Sequence, residues 1–177
     1  HVQAEFGDSL LVLDGGPCDV GIESTIIDCT RGMPVLLRPG AITRAQVAAA
    51  CGQPVRSQQE LDAQMPAAPR ASGTLEAHYA PSARVRLMDA AALQTALDLL
   101  GADAAGMAIW SRAILRSRSS GIVRRRMPDD AAAAAQQLFA VLREFDAAGV
   151  SLIWVETPPD TPEWEGIRDR LQRAAAA

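Results

Sequence analysis

Two hydroxyls and one guanidinium, between residues 20 and 40, are the side chains best suited to bind a ligand. Ser24 and Thr25 stand at the start of one apolar run, and Arg38 ends the next apolar run. A guanidinium presents a fixed fork of donors to phosphate or carboxylate, and hydroxyls can complete the hydrogen-bond shell. The three side chains together therefore suit an anionic ligand. An ordinary hairpin with polar ends would show the same spacing, and spacing alone favours that simpler interpretation.

A hairpin is the element that would position these side chains. Residues 23–30 and 34–38 have the β-branched and apolar character of strands. Residues 31–34, with their Gly and Pro, are typical of a chain reversal. If the two runs pair, both hydroxyls and the guanidinium come together near one edge of a sheet.

Two further elements are predicted around the hairpin. Residues 9–13 are an apolar run of strand length. Residues 43–51 are predicted as a short helix, with Thr43 as its N-cap and Gly52 as its stop. The buried face of that helix is predicted to consist of Ile42, Val47 and Ala50.

Acidic side chains near the hairpin do not form a catalytic pattern. Asp14, Glu23 and Asp28 are close to it in the sequence, but no two are placed as a general acid and a general base. Ser24 has no His and Asp partners at the spacing of a hydrolytic nucleophile. We therefore assign no catalytic residue, and Glu23 and Asp28 are expected to cap turns or to orient Arg38.

Three segments closely resemble the Sua5/YrdC/YciO family, the L-threonylcarbamoyladenylate synthases of tRNA modification. They are Leu-Asp-Gly-Gly-Pro at 13–17, Val-Gly-Ile-Glu-Ser-Thr-Ile-Ile-Asp at 20–28 and Leu-Arg-Pro-Gly-Ala-Ile at 37–42. Ser72-Gly73 and His78-Tyr79-Ala80-Pro81 resemble the linker motif of the longer, Sua5-type members. The residues that follow resemble the C-terminal domain of those members more loosely.

This resemblance implies an α/β protein in three parts. Residues 1–52 would be an α+β remnant, the C-terminal part of a YrdC-like catalytic domain with a mixed sheet. Residues 53–83 would be a linker that folds over the nucleotide site as a lid. Residues 84–177 would be a small Rossmann-like α/β domain with a largely parallel sheet.

The reaction implied by the resemblance condenses L-threonine, bicarbonate and ATP into threonylcarbamoyladenylate and pyrophosphate, for N6-threonylcarbamoyladenosine on tRNA. Ser24 matches the family serine that binds threonine, with Thr25 as its helper. Arg38 matches the arginine that binds the phosphates of ATP, and Tyr79 is expected to touch ATP. Mg²⁺ on the phosphates, tRNA-modification proteins as partners and a cytoplasmic location are expected as well, and direct contact with tRNA is left open.

Two motifs of the family do not occur in this sequence. They are Lys-x-Arg and a later Ser-x-Asn, which help to bind ATP and threonine, and the sequence has neither lysine nor asparagine. With His1 as its first residue, the chain is expected to be the C-terminal piece of a Sua5-type protein and to be inactive alone. The alternative is a non-catalytic module that binds a nucleotide or RNA, or that regulates a partner.

The second half alternates between strands and helices, which indicates an α/β domain with a largely parallel sheet. Strands are predicted at 85–88, 106–110, 122–127 and 150–155, and helices at 90–100, from Asp129 or Asp130 to 148, and at 162–174. The inward-facing residues are predicted to be Leu93, Leu97, Leu100, Leu138, Val141, Leu142, Phe145, Trp164, Ile167 and Leu171. No Gly-x-Gly-x-x-Gly or Walker pattern accompanies these elements.

Charge and composition restrict the remaining function classes. The formal net charge of −4 gives no general attraction to nucleic acid, and no apolar run approaches the length of roughly 20 residues that spans a bilayer. Six arginines between Arg112 and Arg126 could contact phosphates, although no aromatic residues lie among them to stack bases, so a solvated loop is the favoured interpretation. The three cysteines lack metal-site spacing and are expected to be buried.

Overall fold

Two β-sheets organise the chain, and they confirm the predicted α/β class. The computed structural model describes residues 2–61, 71 and 80–176. The first sheet has three strands and the second has four. No helix among the described residues is long and apolar enough to cross a membrane.

The first sheet is mixed, as the family resemblance implies. It consists of β1 (Ile26–Asp28), β2 (Val35–Arg38) and β3 (Arg56–Ser57), in that spatial order. β1 is antiparallel to β2, with Ile26 opposite Arg38, whereas β3 is parallel to β2. β3 lies within residues 53–83, which the sequence assigns to a linker, so the sheet continues beyond residue 52 before the proposed lid.

Helix α2 (Arg44–Cys51) follows the hairpin at the predicted position. The Thr43 hydroxyl accepts a hydrogen bond from the Gln46 N–H, the Gln46 side chain caps the Thr43 N–H, and Gly52 ends the helix in the left-handed conformation. The predicted buried face is wrong. Ile42 is 55% exposed, and no residue of α2 is buried, because the cap signals fix where a helix begins and ends but not what it packs against.

The strand predicted at residues 9–13 is also wrong. The chain begins with α1 (Val2–Phe6) and a single 3-10 turn (Gly7–Ser9), and then continues without regular structure. Leu11 and Leu13 are 85% and 86% exposed. A strand is stabilised by the ladder that it shares with a neighbour, and none of the described strands pairs with this segment.

The second sheet is entirely parallel. Its strands are β4 (Arg84–Met88), β5 (Met107–Ser111), β6 (Ile122–Arg126) and β7 (Leu152–Glu156), in the spatial order β4-β7-β5-β6. The connecting helices are α3 (Ala90–Leu100), between β4 and β5, and α4 (Ala131–Ala147), between β6 and β7. The last helix is α5 (Glu165–Ala175), which follows a 3-10 turn (Pro162–Trp164).

The helices cover both faces of this sheet. The connections through α3 and α4 run in opposite directions across it, so right-handed crossovers place these helices on opposite faces. One core joins Leu93 and Leu97 of α3 to the sheet. The larger core joins α4 and α5 to the other face. Of the predicted inward residues, Leu100 alone is wrong: it is 38% exposed, because it ends α3 beyond the edge of the core.

The first half of the chain packs directly against the helices of the second half. Ile22 is buried in the same core as Trp164 and Ile167. A Cβ on Gly21 would lie 2.1 Å from the Cα of Gln136 in α4. Only a glycine permits that approach of two backbones, so the two halves are in close contact along this seam.

Candidate functional site

Ser24 and Arg38 meet at the open end of the hairpin. The Arg38 guanidinium donates from Nε and Nη2 to the Ser24 carbonyl oxygen, at 3.1 and 3.0 Å, and Nη2 lies 3.3 Å from Ser24 Oγ. This contact follows from the register, because Ile26 pairs with Arg38 and Ser24 lies two residues before it. Arg38 is buried at 7% exposure, while Ser24 is exposed. A buried positive charge therefore lies next to the hydroxyl of an exposed residue.

The Ser24 hydroxyl retains the capacity to bind a ligand. Its oxygen accepts from Arg38, and a hydroxyl can donate its own hydrogen while it accepts. A carboxylate that approaches Ser24 from solvent would receive that hydrogen bond and the attraction of the guanidinium behind it. The arrangement suits an anion, as the residue types predict.

The Thr25 side chain forms hydrogen bonds with a different residue from Ser24. Its Oγ1 donates to the Ile42 carbonyl at 2.8 Å and accepts from the Ile42 N–H at 3.2 Å. These bonds fasten the loop after β2 to the start of β1. Thr25 therefore shapes the site through the backbone, and its direct contact with threonine stays a prediction.

Glu23 belongs to an ion pair that joins the two halves of the chain. Its Oε2 lies 2.7 Å from Nε of Arg170 on α5. Burial alone would raise the pKa of Glu23, but the hydrogen bond from Arg170 and the charges of Arg170 and Arg38 hold it below its ordinary value. Glu23 is thus an ionised anchor rather than a proton carrier at neutral pH.

Asp28 fixes the turn of the hairpin. Its Oδ1 accepts from the Thr30 N–H at 2.9 Å and from the Thr30 hydroxyl at 2.7 Å, and its Oδ2 accepts from Arg31 Nε at 2.7 Å. These hydrogen bonds lower the pKa of Asp28 to about 2. Asp28 therefore caps a turn, in agreement with one of the two roles expected from the sequence.

Tyr79, the fourth residue assigned to substrate binding, lies outside the described residues, as does His78. Its assignment to ATP therefore stays a prediction. Within the described ranges, no group of three or more His, Cys, Asp or Glu side chains could hold a metal ion. The expectation of buried cysteines is wrong, since Cys18, Cys29 and Cys51 are all exposed.

A second polar cluster lies at the carboxyl ends of the parallel strands, where sequence reasoning found no chemistry. The buried Glu156 carboxylate, at the end of β7, accepts from the Ser111 hydroxyl at 2.6 Å and from the N–H groups of Arg112 and Ala113, both at 2.8 Å. Arg112 Nη2 donates to it at 2.6 Å. The cluster fixes the loop that leaves β5, and the pattern of the sequence contains no signal for it, because its members are 45 residues apart.

The arginines between Arg112 and Arg126 are only partly available to a ligand. Arg112, Arg125 and Arg126 pair with Glu156, Glu144 and Asp129. Arg124 donates to the Leu115 carbonyl at 2.7 Å. Carboxylates of the same domain therefore neutralise half of this cluster. Arg124, Arg125 and Arg126 are exposed, as expected of solvated side chains, but they lie on β6 and not in a loop.

A family model and several known proteins match this chain. The model described as "Threonylcarbamoyl-AMP synthase, C-terminal domain" matches residues 42–176. The threonylcarbamoyl-AMP synthase of Bacillus subtilis (strain 168) is 31% identical over an alignment of 173 residues that covers 93% of this chain and 48% of that protein. The enzyme of the same name from Schizosaccharomyces pombe (strain 972) is 30% identical and covers 99% of this chain and 48% of its own length.

A solved structure with the same fold also matches this chain. The crystal structure of P. abyssi Sua5 complexed with L-threonine superposes with a TM-score of 0.81 at 25% identity, covering 99% of this chain and 52% of that one. The chain spans about half the length of the curated relatives that it matches.

Proposed function

This chain belongs to the threonylcarbamoyl-AMP synthase family, and from that premise we propose that it forms part of an enzyme that makes threonylcarbamoyl-AMP. The substrates would be L-threonine, bicarbonate and ATP, and the product would serve N6-threonylcarbamoyladenosine formation on tRNA. Since the chain spans about half of its relatives, we assign the reaction to the intact protein. By this term we mean the chain together with the polypeptide that corresponds to the rest of its relatives.

The single observation that carries the proposal is the contact between Ser24 and Arg38. It brings a donor hydroxyl and a guanidinium within 3.3 Å of each other, on the segment that most resembles the family. The solved relative complexed with L-threonine matches 99% of this chain. We therefore assign L-threonine to Ser24, with Thr25 holding the neighbouring loop, and the phosphates of ATP to Arg38.

The chemistry requires positioning and charge neutralisation. The amino group of L-threonine would combine with bicarbonate to give the carbamate and water. A carbamate oxygen would then attack the α-phosphorus of ATP, a new P–O bond would form as the bond from the α-phosphorus to the bridging oxygen breaks, and pyrophosphate would leave. Holding the reactants in line supplies much of the rate enhancement for such a step. A guanidinium beside the phosphates would offset the negative charge that develops on their oxygens.

Magnesium was expected from the resemblance. The described residues contain no group of three or more His, Cys, Asp or Glu side chains that could hold a metal ion. Glu23, the carboxylate next to Ser24, is paired with Arg170. The described part of the chain does not fit a protein-held Mg²⁺, and the proposed reaction is assigned no step through one. Tyr79 as an ATP contact, tRNA-modification proteins as partners and a cytoplasmic location remain further proposals.

Substrate omission tests the proposal. In the intact protein, pyrophosphate release should require L-threonine, bicarbonate and ATP together, and should fall to background when any one is left out. Replacing L-threonine with L-valine, which lacks the hydroxyl, is the matched control. Release that does not depend on L-threonine would refute the assignment. No release under any condition would leave the non-catalytic nucleotide- or RNA-binding module as the better hypothesis.

A further inference from the structure

We propose that Arg170 is a positioning residue that sets the geometry of the Ser24–Arg38 pair, which makes the last helix part of the substrate site. This inference rests on the proposed function. Arg170 is on α5, 147 residues from Glu23, and neither the resemblance nor the comparisons assign it a role.

Arg170 contacts the residues that flank the Ser24–Arg38 pair in the sequence. Its Nε lies 2.7 Å from Glu23 Oε2, and its Nη1 lies 2.6 Å from the Pro39 carbonyl oxygen. Glu23 directly precedes Ser24, and Pro39 directly follows Arg38. One planar guanidinium therefore holds both segments that contribute to the site, and it fixes the distance between them.

Arg170 is itself held in one orientation. It is 4% exposed, and Nη1 also donates to Asp169 Oδ2 at 3.0 Å. The same Asp169 accepts from Arg173 at 2.9 and 3.0 Å. A side chain with this many partners in a buried position has little rotational freedom, so the segments that it binds are restrained as well.

The packing of α5 supports the same function. Ile167 and Leu171 are nearly completely buried against the parallel sheet. A Cβ on Gly166 would lie 2.7 Å from Ile22 Cδ1 and 3.1 Å from the Gly40 oxygen. The helix thus approaches the backbone on both sides of the site, and a shift of α5 would move Ser24 relative to Arg38.

A lysine could not replace this arginine. An ammonium is a compact point charge, whereas the guanidinium reaches a carboxylate and a carbonyl with separate, rigidly spaced donors. Arg170→Lys should therefore keep the charge next to Glu23 and lose the link to Pro39. Arg170→Met should lose both links and retain most of the packing volume.

The first experiment measures L-threonine binding by the intact protein. We expect Arg170→Met to weaken binding by up to about tenfold, no more than the loss expected from Ser24→Ala, and Arg170→Lys to recover only part of that loss. Combined with Ser24→Ala, Arg170→Met should add little further loss, because both changes act on the same hydroxyl. Independent, fully additive losses would show that Arg170 is merely structural and would overturn the proposal. A wild-type protein that does not bind L-threonine would instead refute the proposed function.

The second experiment needs no ligand and uses the intact protein. Amide hydrogen exchange should become faster in peptides covering residues 20–28 and 34–42 of Arg170→Met, and should be unchanged in α4. The matched control is Arg168→Met, on the same helix, whose guanidinium contacts the Pro159 and Thr161 carbonyls instead. Unchanged exchange near Ser24 and Arg38, or the same change in both variants, would overturn the inference even if threonine binds.

Discussion

Arg38 donates to both the carbonyl and the hydroxyl of Ser24, a residue 14 positions earlier in the chain. The arginine is buried and the serine is exposed. Arg38 therefore has two functions in this structure, since it closes the end of the hairpin and brings a positive charge to the candidate ligand site. Variants at position 38 have to separate these two effects.

Replacing Arg38 tests its assignment to ATP. In the intact protein, Arg38→Ala should weaken ATP binding by about 1.5–3 kcal/mol, the contribution of a hydrogen bond to a charged group, which is roughly a 10- to 150-fold rise in Kd. Arg38→Lys should recover part of the loss, because the charge remains while the fork is lost. Isothermal titration calorimetry with ATP measures the affinity of both variants. Arg86→Ala, at an exposed arginine, is the control. An ATP affinity unchanged in Arg38→Ala would refute the role.

Ser24 and Thr25 are expected to differ although they are neighbours. Ser24→Ala should weaken L-threonine binding by about 0.5–1.5 kcal/mol with little change in stability, because Ser24 is an exposed residue and Arg38 keeps its hydrogen bonds to the Ser24 carbonyl oxygen. Thr25→Val should instead lower the free energy of unfolding by about 1 kcal/mol, since it removes the two hydrogen bonds to Ile42. Titration and urea denaturation of both variants separate the roles. If Thr25→Val weakens threonine binding more than it lowers stability, Thr25 contacts the ligand directly.

Local signals in the sequence predict local structure well in this chain. Thr43 and Gly52 mark the ends of α2, and Asp130 caps α4, because capping depends on residues within one turn. The parallel sheet is also predicted, because strands and helices alternate along the chain and each can be recognised from its own residues.

What depends on distant partners could not be predicted. Leu11 and Leu13 have the pattern of a strand, but no described strand pairs with them. Arg170 and Glu156 are ordinary charged residues in the sequence, and only the fold shows that they are buried and bonded to residues far along the chain. The pairing of Ser24 with Arg38 could be expected, because a hairpin brings together residues that are near in sequence.

The seam between the two halves can be tested at Gly21. A Cβ at this position would lie 2.1 Å from Gln136 Cα and 2.3 Å from the Ala135 oxygen. Backbone atoms of α4 cannot move aside without disturbing the helix, so Gly21→Ala should lower the free energy of unfolding by about 1–3 kcal/mol. Urea denaturation measures the effect. Gly15→Ala is the matched control, because a Cβ there has no neighbour within 4 Å among the described residues. Equal stability of the two variants would contradict the close contact.

The Glu156 cluster predicts how stability depends on pH. Burial alone would raise the pKa of Glu156, but the hydrogen bonds from Ser111, Arg112 and Ala113 and the charge of Arg112 hold it below its ordinary value of 4.5. The folded state therefore binds this proton more weakly than the unfolded state does. Its stabilising contribution is complete above pH 4.5, and it is lost as the pH falls from there through the folded-state pKa.

Glu156→Gln removes the contribution of this carboxylate to the pH dependence of stability, together with its charge-assisted hydrogen bonds. We expect the variant to be less stable than the wild type at pH 7 by about 1–3 kcal/mol, and the difference to shrink below about pH 4.5. Urea denaturation at about pH 7 and about pH 3.5 measures this convergence. The wild type should still lose some stability in acid, because Glu23 and Asp28 also have lowered pKa values. A difference that stays constant between the two pH values would show that the Glu156 charge does not stabilise the loop after β5.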